Sequence, residues 1–136
     1  AKGFELAGIL AIELFITKDN KVIVNELAPR PHNSGHYTIE ACSFDQFDAH
    51  IRGIAGWPLE QPQLLKPAVM VNVLGQHVAP TRALIADHPE WNVHDYCKAE
   101  VRHDRKMGHI TVLTDDTAKT VADLEATGCW DDLKKA

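Results

Sequence analysis

No apolar run in this 136-residue sequence approaches the roughly 18 residues that a membrane-spanning helix requires. The opening residues carry no positive cluster ahead of a short apolar block, so no secretory signal is expected. Cysteine is scarce. Cys42, Cys97 and Cys129 are far apart and odd in number, which gives neither a disulfide framework nor a zinc spacing. Reduced thiols in a cytoplasmic protein are the expectation. Positive charge is in deficit, and a net charge of -5 argues against a general nucleic-acid binder while leaving room for a local basic patch. Internal repeats and low-complexity stretches are missing too, as is an initiating methionine. Ala1-Lys2-Gly3-Phe4 runs almost at once into LAGILAIELFIT, residues 6–17. Domains seldom open so abruptly, and a piece of a longer chain is expected.

What is present is ordinary for a globular protein: 45% hydrophobic and 24% charged residues, in a length that allows a sizeable core. ILAIELFIT and KVIVNELA are β-rich runs flanking Lys18-Asp19-Asn20. Asp and Asn tolerate positive φ, so Asp19-Asn20 is read as a two-residue turn joining strands near 9–17 and 21–28. Apolar residues on both faces predict a strand pair covered on both sides. Pro29 and Pro31 end the ladder. Ser43 and Gln46 fit a capping box, and Phe44, Phe47, Ile51 and Ile54 mark one face of a helix closed by Gly56 and Pro58. Residues 57–67, with three prolines, read as an extended connection. Strands are expected at 68–75, 91–98 and 109–115, and a short helix at 80–88. A last helix should begin at Asp116 or Thr117, with Ala118, Val121 and Leu124 inward. The order of elements predicts an α+β fold with a boundary near residues 57–67.

The hairpin carries the first chemical signal. With Asp19-Asn20 as the turn, paired residue numbers sum to 39, and Glu13 lies opposite Glu26 on the face of Phe15 and Val24. Directly opposed side chains have Cβ atoms about 4.5–5.5 Å apart, and like charges there are destabilising. Either one carboxyl holds a proton, or both are ionised around a cation such as magnesium, or the strand edge is solvated and both acids point at water. A one-residue slip would move one acid to the other face.

The loop PRPHNSGH follows, gathering Arg30, His32, Asn33, Ser34, Gly35 and His36. Arginine binds planar oxyanions through a fork, and Asn-Ser-Gly is a tight turn whose amides suit an anion. Zinc at His32 and His36 lacks a third ligand at fixed spacing. Near the end, Lys98, Arg102, Arg105 and Lys106 alternate with Glu100 and Asp104. Such a run is a phosphate site or a solvated loop.

Residues 8–42, and above all NELAPRPHNSGHYTIEA, closely resemble the last catalytic segment of the 5-(carboxyamino)imidazole ribonucleotide synthetases. These ATP-grasp enzymes are the ATPase subunits of bacterial phosphoribosylaminoimidazole carboxylase. YCKAEVRHDRKMGHI (96–110) is similar to the same family, and the resemblance runs from about residue 3 to the end.

It implies the end of an ATP-grasp catalytic domain over residues 1–60 and a small β-rich domain over 61–136. Glu13 and Glu26 would hold magnesium (or manganese) on the ATP phosphates. Asn25 and Glu26 would lie against the nucleotide, although the hairpin register points Asn25 to the face opposite Glu26. Arg30 would face bicarbonate and carboxyphosphate. His32, Asn33, Ser34 and His36 would sit near the acceptor. Lys98, Arg105 and Lys106 would hold the ribonucleotide 5′-phosphate.

The implied reaction is ATP-dependent carboxylation of aminoimidazole ribonucleotide, by a homodimer with no nucleic-acid or membrane partner. The family places a nucleotide-binding domain and a lid ahead of this segment, so the chain alone is expected to be inactive. The competing readings are another ATP-grasp ligase, of the glycinamide ribonucleotide or biotin carboxylase type, and a non-catalytic module of the same fold.

Overall fold

The computed structural model describes residue 3 and residues 5–131; the last stretch of the resemblance, residues 132–136, lies outside them. The chain divides between Leu64 and Leu65 into two compact units.

In the first unit, β1 (Ala11–Ile16) and β2 (Val22–Ala28) form a two-stranded antiparallel sheet. Their connection is not the two-residue turn that Asp19-Asn20 suggested. Thr17 N–H donates to Lys21 O at 2.9 Å and Asn20 N–H to Thr17 O at 2.9 Å, with Asn20 at φ 58°. This is a three-residue loop whose last residue is left-handed, a conformation that asparagine tolerates. Pairs next to it therefore sum to 38: Ile16 with Val22, Phe15 with Ile23, Leu14 with Val24. A bulge then inserts one residue, Asn25, and from Glu13 opposite Glu26 onward the pairs sum to 39. Phe15 is consequently not opposite Val24.

Nor is the hairpin covered on both faces. Ile12, Leu14, Phe15, Ile16, Val22, Ile23, Val24 and Leu27 are each at least half exposed.

After the PRPHNSGH loop, which holds a 3-10 turn at Asn33–Gly35, come the single-turn α1 (Thr38–Ala41) and α2 (Gln46–Ala55). The cap of α2 is Asp45, not Ser43: one Asp45 carboxylate oxygen accepts from Phe47 N–H at 2.7 Å and Asp48 N–H at 2.9 Å. Ser43 Oγ instead accepts from Gln63 N–H at 3.0 Å. Gly56 ends the helix in the left-handed conformation, φ 67°, as its position suggested. Phe47, Ile51 and Ile54 form the predicted helical face, and it too is exposed.

The second unit is a three-stranded antiparallel sheet in the order β3 (Ala68–Leu74), β5 (Lys106–Leu113), β4 (Asn92–Asp95), with α3 (Val78–Leu84) and α4 (Thr117–Ala126) contacting β3. Central β5 is paired along both edges, and its residues from Met107 to Val112 are buried. Val73, Trp91, Ile110, Val112, Leu124, Cys129 and Trp130 make one core cluster. The Trp91 and Trp130 rings meet edge to face at 6.1 Å, and Trp130 Nε1–H donates to Asn72 O at 3.0 Å, so the buried indole keeps its hydrogen bond. Asp116 caps α4 as expected, accepting from Lys119 N–H at 2.9 Å. The helix is rotated from its predicted face, however. Thr120 and Leu124 are buried, whereas Ala118 and Val121 are exposed.

Candidate functional site

The bulge builds the site. Below it, Glu13 and Glu26 stand opposite one another, and the extra residue turns its side chain toward them: Asn25 Nδ2–H donates to Glu13 Oε2 at 3.0 Å. Asn25 thus joins Glu13 where a regular strand would have pointed it away. His32 arrives from the loop. Its Nε2 lies 3.2 Å from Glu13 Oε1 and 3.2 Å from Glu26 Oε1. The imidazole is largely covered, at 11% side-chain exposure, while the acids at 39% and 50% open to solvent.

Ser34 fixes the ring. Its backbone N–H, which can only donate, points at His32 Nδ1 at 3.3 Å, and its hydroxyl lies 2.9 Å from the same nitrogen. The bonding pattern therefore assigns the neutral ring's proton to Nε2, facing both carboxylates.

One atom each from Glu13, Glu26 and His32 lie within 4.8 Å of one another. Two carboxylates suit a hard divalent ion such as magnesium or manganese. His32 Nε2, 3.2 Å from each acid, faces both and orients them. His36 is not part of this group: its Nδ1 takes a hydrogen from Gln46 Nε2 at 2.9 Å, and its ring stacks on Phe47 at 5.7 Å. The two-histidine zinc idea gains no geometry.

Residues 1–47 match the ATP-grasp domain family, and residues 68–123 match the phosphoribosylaminoimidazole carboxylase C-terminal domain family. The N5-carboxyaminoimidazole ribonucleotide synthase of Staphylococcus saprophyticus is 52% identical over 120 residues, 88% of this chain and 32% of that protein. The N5-carboxyaminoimidazole synthetase of Staphylococcus aureus, complexed with ADP, aligns with a TM-score of 0.86 at 48% identity. That match covers 90% of this chain and 33% of the other. The Aspergillus clavatus synthase, in complex with ADP and 5-aminoimidazole ribonucleotide, aligns at 0.77 and 33% identity over 88% of this chain and 34% of its own. The chain is thus similar, over about nine-tenths of its own length, to N5-carboxyaminoimidazole ribonucleotide synthases, and its two halves match an ATP-grasp domain and a phosphoribosylaminoimidazole carboxylase C-terminal domain. It spans about a third of the length of the curated relatives it matches.

The other residues expected at the site are placed less directly. Arg30 is exposed, and its Nη1–H donates to Pro31 O at 3.0 Å. The amides of Ser34, Gly35 and His36 do not form an open anion cradle. They are used within the loop, by His32 Nδ1 at 3.3 Å, His32 O at 2.9 Å and Asn33 O at 3.1 Å.

In the second unit, Lys98 Nζ donates to the carbonyl of Lys106 and lies 5.4 Å over the Tyr96 ring, so these two lysines share one corner. Arg105 Nη1–H reaches Glu100 O at 3.4 Å, and Arg102 is paired with the Glu100 carboxylate. Gln76 braces this loop: its Nε2–H donates to Asp104 Oδ1 at 3.0 Å and its Oε1 accepts from Asp104 N–H at 2.9 Å, with Asp104 at φ 58°.

Sequence reasoning missed two residues that matter. Gln76 has no motif, and Gln46 was read as half of a capping box.

Proposed function

We propose that this chain contributes the C-terminal third of an ATP-grasp carboxylate–amine ligase of purine biosynthesis. Such a ligase converts ATP, bicarbonate and aminoimidazole ribonucleotide to 5-(carboxyamino)imidazole ribonucleotide, ADP and phosphate. The observation that carries the proposal is the Glu13–Glu26 pair, joined by Asn25 and His32 on a bulged hairpin that matches the ATP-grasp family. Residues 1–60 would complete the catalytic domain, and residues 61–136 would form the small C-terminal domain.

Bicarbonate oxygen attacks the γ-phosphorus of ATP, the bond to ADP breaks, and carboxyphosphate forms. The exocyclic amine of the ribonucleotide then attacks the carboxyl carbon, phosphate departs, and the amine loses a proton to give the carbamate. Phosphoryl transfer depends on positioning and charge neutralisation. Magnesium or manganese on Glu13 and Glu26 would supply that neutralisation at the ATP phosphates.

The chain's own groups do the rest. Asn25 and His32 hold the acids in register, with Asn25 and Glu26 against the nucleotide. Arg30 faces bicarbonate and the carboxyphosphate charge, which requires its side chain to leave the Pro31 carbonyl. His32, Asn33, Ser34 and His36 line the acceptor's place, and Lys98, Arg105 and Lys106 take its 5′-phosphate. The ligase works as a homodimer in the cytoplasm, with no nucleic-acid or membrane partner.

The test is ADP release by a ligase of the relatives' length carrying this sequence. Release should require both bicarbonate and aminoimidazole ribonucleotide. Glu26→Gln and Arg30→Ala should each lower it by about 100-fold or more while the fold is retained. ADP release that ignores the ribonucleotide would show that the acceptor is wrong.

A further inference from the structure

We infer that Gln46 is a positioning residue that sets the His32–His36 loop beside the Glu13–Glu26 pair; the inference rests on the ligase reading above. Gln46 opens α2, yet its side-chain amide bonds to the preceding loop, and the residue is buried, at 7% exposure. Every polar atom of the amide is used. Oε1 accepts from His32 N–H at 2.8 Å, while Nε2–H donates to His32 O at 2.8 Å and to His36 Nδ1 at 2.9 Å.

These bonds settle one another. A backbone N–H only donates, so the amide atom facing His32 N must be the oxygen, and the nitrogen must face His32 O and His36. His36 Nδ1 then receives a hydrogen, and the neutral His36 ring carries its own proton on Nε2. His32 reaches the same tautomer by way of Ser34. One buried amide thus grips the backbone of the residue that touches both acids and also orients the ring four residues on.

The grip has a steric partner. A Cβ at Gly35 would lie 2.5 Å from Gln46 Oε1 and 2.8 Å from Cδ, so Gly35 leaves room for the amide. The helix end is independently capped by Asp45, and Gln46 N–H goes to Thr38 Oγ1 at 3.1 Å. The Gln46 side chain is therefore not what holds α2 together.

Three substitutions test the role. Gln46→Leu keeps the size and removes both polar functions. Gln46→Glu keeps an acceptor for His32 N–H and loses the donor. Gly35→Ala leaves the glutamine intact and drives a methyl against its amide. In a ligase carrying this sequence, Gln46→Leu and Gly35→Ala should raise KM for aminoimidazole ribonucleotide about tenfold or more, and KM for ATP by clearly less, since His32 also touches the acids while His36 does not. Gln46→Glu should fall between these and wild type.

In the 136-residue chain itself, nitrogen-15 NMR of the neutral His36 ring should show one protonated nitrogen in wild type and mixed tautomers in Gln46→Leu. An unchanged acceptor KM in a folded Gln46→Leu or Gly35→Ala enzyme overturns the inference. So does an equal rise in both KM values, which marks general damage. If the wild-type ligase ignores the ribonucleotide, the ligase reading fails, and the NMR result alone decides whether Gln46 sets the loop.

Discussion

One imidazole nitrogen faces two carboxylate oxygens at His32, each 3.2 Å away, and Asn25 supplies a further donor to Glu13. Two like charges opposed across a ladder repel, and these donors offset that repulsion locally. The opposition of Glu13 and Glu26 was legible in the residue numbers, though by two departures that cancel. The turn is one residue longer than its sequence suggested, and the bulge restores the sum of 39. A bulge at Asn25 has no local signature, so the reach of its side chain to Glu13 was not legible.

At the same scale the thiols should separate. Cys97 is exposed, Cys129 is buried, and desolvation pushes the Cys42 thiol up, away from the reactive thiolate. At pH 8 a disulfide-exchange reagent should modify Cys97 first, Cys42 slowly, and Cys129 only on unfolding. Modification of Cys42 ahead of Cys97 would contradict this order.

Among the elements, α2 shows how a sequence signal can name the right helix and the wrong cap. Ser43 and Gln46 have capping-box spacing, but Asp45 sits one residue before the first helical turn and takes its amides. Gln46 is thereby released to serve the loop. Asp45→Ala should cost about 1 kcal/mol in chemical denaturation, and Ser43→Ala less, because the Ser43 hydroxyl only receives the Gln63 amide. Equal losses would return the cap to Ser43. The rotation of α4 has a similar lesson. Ala118, Val121 and Leu124 fit a helical period, yet Thr120 hydroxyl bonds to Thr114 Oγ1 at 2.8 Å and to Asp116 O at 3.0 Å, which lets a polar residue occupy the inward face beside Leu124. Period alone does not reveal a threonine that carries its own hydrogen bonds inside.

For the molecule as a whole, the second unit holds the core and the first holds the acids. Every residue of the buried cluster falls between Val73 and Trp130, so residues 65–136 expressed alone should give a single cooperative thermal transition. A broad, non-cooperative melt would show that this core needs more of the chain. The buried residues of the first unit, among those described, are Ala28, Ala41 and Gln46. Its hairpin reads as doubly covered because apolar residues occupy both faces, but a pattern reports that a face is apolar and not what lies against it. Fully burying each such side chain contributes roughly 1.5–3 kcal/mol, and here that contribution is largely unrealised. Among the described residues no third strand pairs with this hairpin, and its charged groups are Lys21 with Asp19 at the turn and the Glu13–Glu26 pair that His32 joins within the strands. Unpaired edges and greasy faces invite copies of the chain to pair with one another. How stable the chain looks in a tube will then depend on how crowded the tube is, with self-association masquerading as folding.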